Sequence, residues 1–427
     1  MNISEIHSLF LKCSTISIDT RKIEKGSLFV AIKGERFDAN TFAKEALDKG
    51  ASYVIIDNDS YFIDNRTIVV KDSLSTLQKL AQFHRNYLKL PIIALTGSNG
   101  KTTTKELIQV VLAQKYKTKA TVGNLNNHIG VPLTILSFNT ETEIGIVEMG
   151  ANHQKEIAFL CDLATPNFGY ITNFGKAHLE GFGGVAGVIK GKSEMYDYLQ
   201  QSDGLAFINI DDPIQLEKSK ALRNYTFGID NPLADINIQS VNANPFVEIQ
   251  FNGSTIKSHL IGLYNGSNLN AALTIGNYFE VPTSTIKKAL ESYIPENNRS
   301  QLLNQGSNQI ILDAYNANPS SMLVAIQNFT QLEGKNKIMI LGDMFELGEE
   351  SSQEHKNIIE SSLIDKNISC YFIGNAFYQN RKAQENFKFF ATFEDFSNVL
   401  KNSQIENHLI LIKGSRGMAL ERTLPLL

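Results

Sequence analysis

Residues 91–104 read PIIALTGSNGKTTT, and the reading of this stretch decides the fold. Ile92, Ile93, Ala94 and Leu95 form a short apolar run that stops at a glycine-punctuated turn. Beyond it, residues 105–114 place Leu107, Val110 and Val111 at helical spacing, so the stretch reads as a buried strand, a tight loop and a helix. A loop of that kind turns successive backbone N–H groups and a helix N-terminus toward one point, where a polyphosphate can replace water as the acceptor. Gly97 and Gly100 allow close backbone approach around Ser98 and Asn99, Lys101 supplies a point charge, and the hydroxyl of Thr102 or Thr103 is available to Mg²⁺. Leu95 stands where the Walker A pattern has its first glycine, so the loop is a shorter relative of that pattern. An ordinary strand-to-helix turn is the bland alternative, and Gly-Lys-Thr-Thr directly after a buried-type strand weighs against it.

Working outward, residues 91–295 alternate apolar strands with helical stretches, the pattern of a mostly parallel sheet with helices on both faces. Ligands of such sheets sit beyond the strand C-termini, so polar residues just after apolar runs become candidates. Glu148 follows the run at 144–147, His178 lies shortly after the strand ending at Ile171, and Asp211-Asp212 follow the run at 206–210. Short strands and turns are expected over 227–261 and a helix over 268–279. Upstream, residues 1–90 read as a small α/β domain with strands at 27–32 and 53–56 and a helix at 40–49. Its polar signals are Asp19-Thr20-Arg21 and the turn at 33–38, which by themselves suit a solvated turn. Downstream, residues 296–427 restart the same alternation. Their apolar runs end at Asp313, at Gly342-Asp343, at Gly374 and at Lys413-Gly414-Ser415-Arg416, which gives a second doubly wound domain. Residues 295–298 are the hinge candidate. The expected fold is α/β in three domains, 1–90, 91–295 and 296–427.

A chain of 427 residues suits several domains rather than one core. Its net charge of −4 offers no general attraction to nucleic acid or to an anionic membrane, so an anionic ligand must be met by local positive charge. Cys13, Cys161 and Cys370 lie far apart with no metal-ligand spacing, which suits buried thiols in a reducing compartment. With no apolar run of membrane-spanning length and no leader pattern, a cytoplasmic protein is expected.

Glu148 and His178 should open on the same crevice as the phosphate loop, where a carboxylate and an imidazole suit a divalent ion beside a nucleotide. Either alone is more often a surface or helix-cap residue. Lys190 and Lys192 lie in a helical stretch interrupted by Gly191, where a solvated face is the plain alternative. Asp313-Ala-Tyr315-Asn316-Ala-Asn318-Pro319 follows a strand with hydrogen-bonding groups and a rigid turn, the composition of a ligand-facing loop.

Read together, these motifs resemble the Mur ligases, the ATP-dependent amide-forming enzymes of peptidoglycan synthesis, over almost the whole chain. The resemblance is carried by DTRKIEKGSLFVAIKGERFD at 19–38, TGSNGKTTTKE at 96–106, GNLNNHIGVPLTIL at 123–136, VEMGANHQKEI at 147–157, AHLEGFG at 177–183, DAYNANPSSM at 313–322, LGDMFELGEES at 341–351 and KGSRG at 413–417. It implies an N-terminal domain holding a UDP-sugar, a central P-loop ATPase and a Rossmann-like C-terminal domain that closes over the site. Among such ligases it is most similar to those that add D-alanyl-D-alanine to a UDP-N-acetylmuramoyl-tripeptide. By the same resemblance, Lys101 and Thr102 or Thr103 serve ATP and the first of two Mg²⁺ ions, and Glu148 and His178 correspond to metal and active-site positions. Asn265 and Asn268 match adenine-side asparagines, Arg299 and Asp313 phosphate- and ribose-contacting positions, and Lys192 a lysine that is carbamylated in relatives. The substrate residues it implies are Asp19, Thr20, Arg21, Asn126, Asn127, Tyr315, Asn316, Asn318, Lys413 and Arg416.

The chemistry fits the residues, because a carboxylate acylates an amine only once its oxygen becomes a good leaving group, which phosphoryl transfer from ATP provides. Other ligases of the superfamily, such as the third-residue-adding enzyme or a folylpolyglutamate synthase, would share the central loop; a non-enzymatic nucleotide-binding scaffold would not need Glu148, His178 and Lys192. Both meso-diaminopimelate and lysine fit as the third residue of the acceptor.

Overall fold

A computed structural model describes residues 1–427 except Arg36, Asn297 and Lys335. The polar turn at 33–38 and the hinge candidate at 295–298 each include one of these, Arg36 and Asn297, which lie outside the described residues. Strands are numbered in chain order: β1 (Ile16–Ser17), β2 (Leu28–Val30), β3 (Lys33–Gly34), β4 (Phe37–Asp38), β5 (Tyr53–Ile56), β6 (Thr67–Val69), β7 (Ile92–Thr96), β8 (Thr118–Ala120), β9 (Ile144–Glu148), β10 (Phe168–Ile171) and β11 (Leu205–Asn209). They continue with β12 (Arg223–Ile229), β13 (Ile236–Ile238), β14 (Ser240–Ala243), β15 (Phe246–Phe251), β16 (Ser254–Ile261), β17 (Gln301–Gln305), β18 (Asn308–Asp313), β19 (Lys337–Gly342), β20 (Ile368–Ile373), β21 (Phe387–Phe390) and β22 (Leu409–Lys413).

The central sheet runs β13-β12-β11-β10-β7-β9-β8, all parallel. Alternation along β7 explains its uninterrupted apolar sequence: Ile92 and Ala94 enter one buried cluster and Ile93 and Leu95 another, so both faces are covered. From β7 the chain winds to β8 and β9 on one side, then crosses to β10 and β11 on the other. The loop after β7 therefore emerges at the point where strand order reverses, the place where such sheets bind ligands. Leu95 pairs with Glu148 and Thr96 with Ile171, which brings the ends of β9 and β10 to either side of that loop.

The C-terminal sheet repeats this design in the order β17-β18-β22-β19-β20-β21. Its β22 is inserted between β18 and β19, so Asp313 and Lys413 are register partners at adjacent strand ends. Edge strands β8, β17 and β21 escape the apolar-run reading, since β17 (QLLNQ) and β21 (FKFF) are only partly buried and β8 has three residues. The short strands expected at 227–261 include an antiparallel sheet, β14-β15-β16, whose alternating burial in Phe246–Phe251 caps the second central cluster.

The N-terminal sheet, β1-β2-β5-β6, is held to the central one by the helix Ser73–Leu88. Asp72 caps its first turn by accepting from Ser75 N–H, and Lys89 in left-handed conformation ends it before Pro91. Its buried face carries His84, whose Nε2 lies 2.9 Å from the Phe138 carbonyl and whose Nδ1 lies 3.0 Å from Nε2 of the buried His7. Carbonyl acceptance places a proton on His84 Nε2, so His84 Nδ1 accepts from His7 and both rings are neutral. Burial, with His84 beside it, pushes His7 down from 6.5 to about 4. The unfolded chain thus binds a proton that the folded chain refuses, and stability is lost as pH falls from 6.5 toward about 4. Urea unfolding should show that slope in the native chain and a shallower one in His7→Gln; equal slopes would refute it.

Candidate active site

The phosphate loop takes its shape from two glycines. At Gly97, with φ +143°, an added Cβ would come within 2.0 Å of Thr172 Oγ1; at Gly100, with φ +79°, it would meet Asn268 Oδ1 at 2.6 Å. Both left-handed conformations and both close approaches exclude a side chain. Lys101 folds back on its own loop, donating to the Gly97 carbonyl at 2.7 Å and to that of Ser98 at 3.4 Å. Desolvation lowers its pKa from the ordinary lysine value; Glu148 nearby acts in the raising direction and Arg299 in the lowering one.

The loop floors a cleft of about 780 Å³ whose other walls come from both flanking strand ends and from the C-terminal domain. Ser98 to Thr103 line it. From β9 comes Glu148, 1% exposed, with Oε1 accepting from Asn126 Nδ2 at 2.8 Å and Oε2 without a hydrogen-bond partner among the described residues. From the loop after β10 comes His178, held at φ +52°, its Nδ1 bonded to the Glu346 carboxylate of the C-terminal domain. Asn126 and Asn127 also line the wall.

A hydrogen-bonded chain builds the next side. Thr104 Oγ1 donates to Asn268 Oδ1 at 3.0 Å, Asn268 Nδ2 to Asn265 Oδ1 at 2.8 Å, and Asn265 Nδ2 to the Ile261 carbonyl at 2.8 Å. The two asparagines are thereby fixed against the phosphate-loop helix. Arg299 lies with its guanidinium 3.6 Å from the centre of the Tyr315 ring, and its Nε has no partner among the described residues. Asp313 receives Lys413 Nζ at 2.6 Å and the Ser300 N–H at 3.2 Å, while Asn318 Nδ2 reaches across to Asn99 Oδ1 at 2.7 Å. The C-terminal domain is thus hydrogen-bonded directly to the phosphate loop, and Asn316 lines the same wall.

Three family descriptions match in succession: Mur ligase family, catalytic domain at 12–85, Mur ligase middle domain at 95–276, and Mur ligase, glutamate ligase domain at 298–416. The chain is 35% identical to the UDP-N-acetylmuramoyl-tripeptide–D-alanyl-D-alanine ligase of Bacillus subtilis, over 95% of this chain and 91% of the relative. The chain belongs to the Mur ligase family. The structure of this Mur ligase resembles MurF from Acinetobacter baumannii, with a TM-score of 0.86 and 29% identity over 99% of this chain and 98% of that one. It is also similar to MurF ligase from Thermotoga maritima in complex with ADP, with a TM-score of 0.84 and 26% identity over 98% and 97% of the two chains.

Not every residue expected at the site of this Mur ligase lines the cleft. Gly97, packed against Thr172, does not line it. Thr20 and Arg21 lie in a 3-10 turn, Thr20–Lys22, that Asp19 caps in the N-terminal domain, away from the cleft lining; the Arg21 guanidinium grips Asp19 at 2.8 Å and holds its carboxyl down at about 2. Arg416 is exposed and pairs with Glu421 at 2.7 Å. Lys192 is 1% exposed, its Nζ donating to the Ala151 carbonyl at 3.2 Å and sitting 5.1 Å from the Phe182 ring centre. Gly191 makes that possible, since a Cβ there would press on the Phe182 ring at 2.5 Å; the helix-weakening glycine is the contact that seats the lysine. Lys190, two residues away, is exposed.

Other cleft residues went unnoticed in sequence, among them Tyr264, Ser300 and Ser320. Tyr264 hydroxyl meets Ser300 Oγ at 2.7 Å, and Ser320 Oγ accepts from Lys176 N–H at 2.8 Å. Nothing local marks them. Asp212 also lines the cleft, at one of the strand ends singled out above.

Mg²⁺ fits the donor set. Among the described residues no three of His, Cys, Asp or Glu converge as a cage. A hydroxyl, one carboxylate with a free buried oxygen, and phosphate oxygens are the partners of an ion that keeps several waters and rides on its nucleotide.

Proposed function

We propose that the cleft joins D-alanyl-D-alanine to the free carboxyl of a UDP-N-acetylmuramoyl-tripeptide, with ATP activating that carboxyl as an acyl phosphate. A carboxylate oxygen attacks the γ-phosphorus and the bond to the β-phosphate oxygen breaks, releasing ADP. The dipeptide amine then attacks the acyl carbon, loses a proton, and the carbon–oxygen bond to phosphate breaks, leaving amide and phosphate. The observation that carries the reading is the single cleft with the phosphate loop on one wall and Asp313, Asn316 and Lys413 of the other domain opposite. Two reactants and a nucleotide need such a shared space.

In this reading Lys101 leaves its loop carbonyls for the β- and γ-phosphates, and the backbone N–H groups of residues 100–103, at the start of the helix, cradle them, those of Ser98 and Asn99 being donated to Asn173. Asn265 and Asn268 face the adenine, Arg299 and Asp313 the phosphate and ribose, and Asn126, Asn127, Tyr315, Asn316, Asn318, Lys413 and Arg416 the acceptor and dipeptide. Asp19, Thr20 and Arg21 take the UDP end on the N-terminal domain. The division at residues 90 and 295 belongs to the same proposal, as does action in the cytoplasm, where ATP and nucleotide-linked sugars are available. Thr102, Glu148 and His178 would hold Mg²⁺, which when bound neutralises the charge of two anions that must meet.

Lys192 completes the set as a carbamate. Its neutral amine adds to CO₂, forming a nitrogen–carbon bond and releasing one proton, so a cation becomes an anionic oxygen donor suited to a second Mg²⁺. Burial, foremost, with Lys101 adding to it, pushes the Lys192 pKa well below the usual lysine value, which supports a reactive amine at neutral pH.

A coupled assay of ADP release tests the reading. Release should require a UDP-muramoyl-tripeptide and D-alanyl-D-alanine together, and paired assays with meso-diaminopimelate- and lysine-containing tripeptides identify the third residue. Release driven by a free amino acid instead of the dipeptide would transfer the chain to another ligase of the superfamily.

A further inference from the structure

The His178 side chain is held from the opposite domain. Its Nδ1 bonds to the Glu346 carboxylate, and its Nε2 has no hydrogen bond among the described residues. A carboxylate only accepts, so a proton sits on Nδ1, and in the neutral form of the ring the lone pair is left at Nε2. Glu346 itself is built into place. It sits at φ +60° in the loop after β19, where Met344 N–H donates to His355 Nε2 at 3.1 Å and Phe345 N–H donates to Ser415 Oγ at 3.0 Å. His355 is buried, its Nδ1 tied to the Ser351 carbonyl at 2.7 Å, so the loop is pinned from behind. In front, the Glu346 carbonyl accepts from Glu180 N–H at 3.4 Å. A loop held at three backbone points, with one carboxylate turned onto a cleft histidine, is more than a surface ion pair needs.

We propose that Glu346 is a positioning residue of the ligase, supplied by the C-terminal domain to orient His178 and fix its Nδ1–H tautomer, so that Nε2 is presented to the cleft only when the two domains are together. The inference rests on the reading of His178 as an active-site group. A ring nitrogen facing an ion or phosphate depends on what its other nitrogen donates to, and losing such an outer partner typically costs about 10–100-fold in activity or metal affinity. The device also couples chemistry to closure, since Glu346 reaches His178 only while the two domains are in contact.

The test is read first without metal or substrate. Long-range ¹H–¹⁵N correlation spectra of the full-length, histidine-labelled chain above the imidazole titration range, with His178 assigned by its loss in His178→Asn, should show Nδ1 protonated in the native protein. In Glu346→Ala the Nε2–H form should take over. In steady-state assays Glu346→Ala should lower kcat about 10–100-fold with little change in KM for ATP. Glu346→Gln, whose amide oxygen still accepts from Nδ1–H, should recover most of it. Glu354→Ala is the control: it removes another inter-domain contact, Lys176 Nζ to Glu354 at 2.5 Å, without touching His178, and should keep both tautomer and kcat. An unchanged tautomer in Glu346→Ala, or an equal kcat loss in Glu354→Ala, overturns the proposal. Absence of dipeptide-dependent ADP release in the native protein would instead strike the functional reading, and the tautomer measurement stands apart from it.

Discussion

Lys101→Ala should reduce ADP release to background while leaving the melting temperature close to that of the native chain. The Lys101 ammonium is half-buried at the mouth of the loop, and its hydrogen bonds go only to carbonyls of that loop, so its removal opens no core cavity. The loss falls on the transferring phosphoryl group, whose equatorial oxygens gain charge in a site shielded from water. Removing one preorganised donor at such a place costs about 10²–10³-fold, and a full positive charge belongs at or above the upper end. Lys101→Arg should not rescue, because a planar fork cannot replace a point charge between backbone carbonyls and phosphate. A Lys101→Ala protein with near-native ADP release would remove the phosphate loop from the mechanism.

The second large effect separates two lysines of one helix. Lys192→Ala should lose more activity than the about 10–100-fold typical of outer-shell residues, whereas Lys190→Ala should be nearly silent. The difference lies in the packing: Lys190 is exposed, while Lys192 is 1% exposed against Phe182 and the Ala151 carbonyl. If Lys192 works as a carbamate, short carboxylic acids such as formate or acetate should restore part of the activity of Lys192→Ala, and none of that of Lys101→Ala. A structural role gives a different result. Since the folded-state pKa of Lys192 is depressed, the unfolded chain binds a proton that the folded chain resists, and an unmodified Lys192 costs stability at neutral pH. Lys192→Met, which keeps volume and removes the amine, should therefore melt at or above the native temperature while remaining inactive. Full activity in Lys192→Ala, or loss of activity only in parallel with unfolding, would end the carbamate assignment.

These two predictions draw on different sources of information. Lys101 is legible from the sequence, because strand, glycine turn and helix follow one another in PIIALTGSNGKTTT and the chemistry is local to the loop. The doubly wound sheets are legible for the same reason: runs such as Ile310–Leu312 and Ile338–Leu341 are apolar throughout since both faces of β18 and β19 are covered. Glu148 and Asp313 could be read from their position at strand ends, where parallel sheets present side chains to ligands. Pattern reading fails at the edges, where β8, β17 and β21 lack a second covered face and so lack a continuous apolar signature.

What only the tertiary structure decided are pairings between residues far apart in the chain. The burial of Lys192 depends on Phe182 and Gly191 meeting at one point, and a local pattern shows there only a glycine in a helix with two lysines beside it. Asn318 on Asn99 joins two sheets that aim their strand ends at each other, whereas Lys413 on Asp313 joins neighbouring strands of one sheet and Arg299 over Tyr315 two segments of the same domain. Glu346 reads in sequence as one acidic residue among several in an exposed loop. Its turn toward His178 requires a pinned backbone at φ +60° and a second domain across the cleft. Periodicity records which face of an element is covered, so it carries the fold; which side chain meets which across a domain boundary is set by the packing of whole sheets, and no single stretch of sequence contains it.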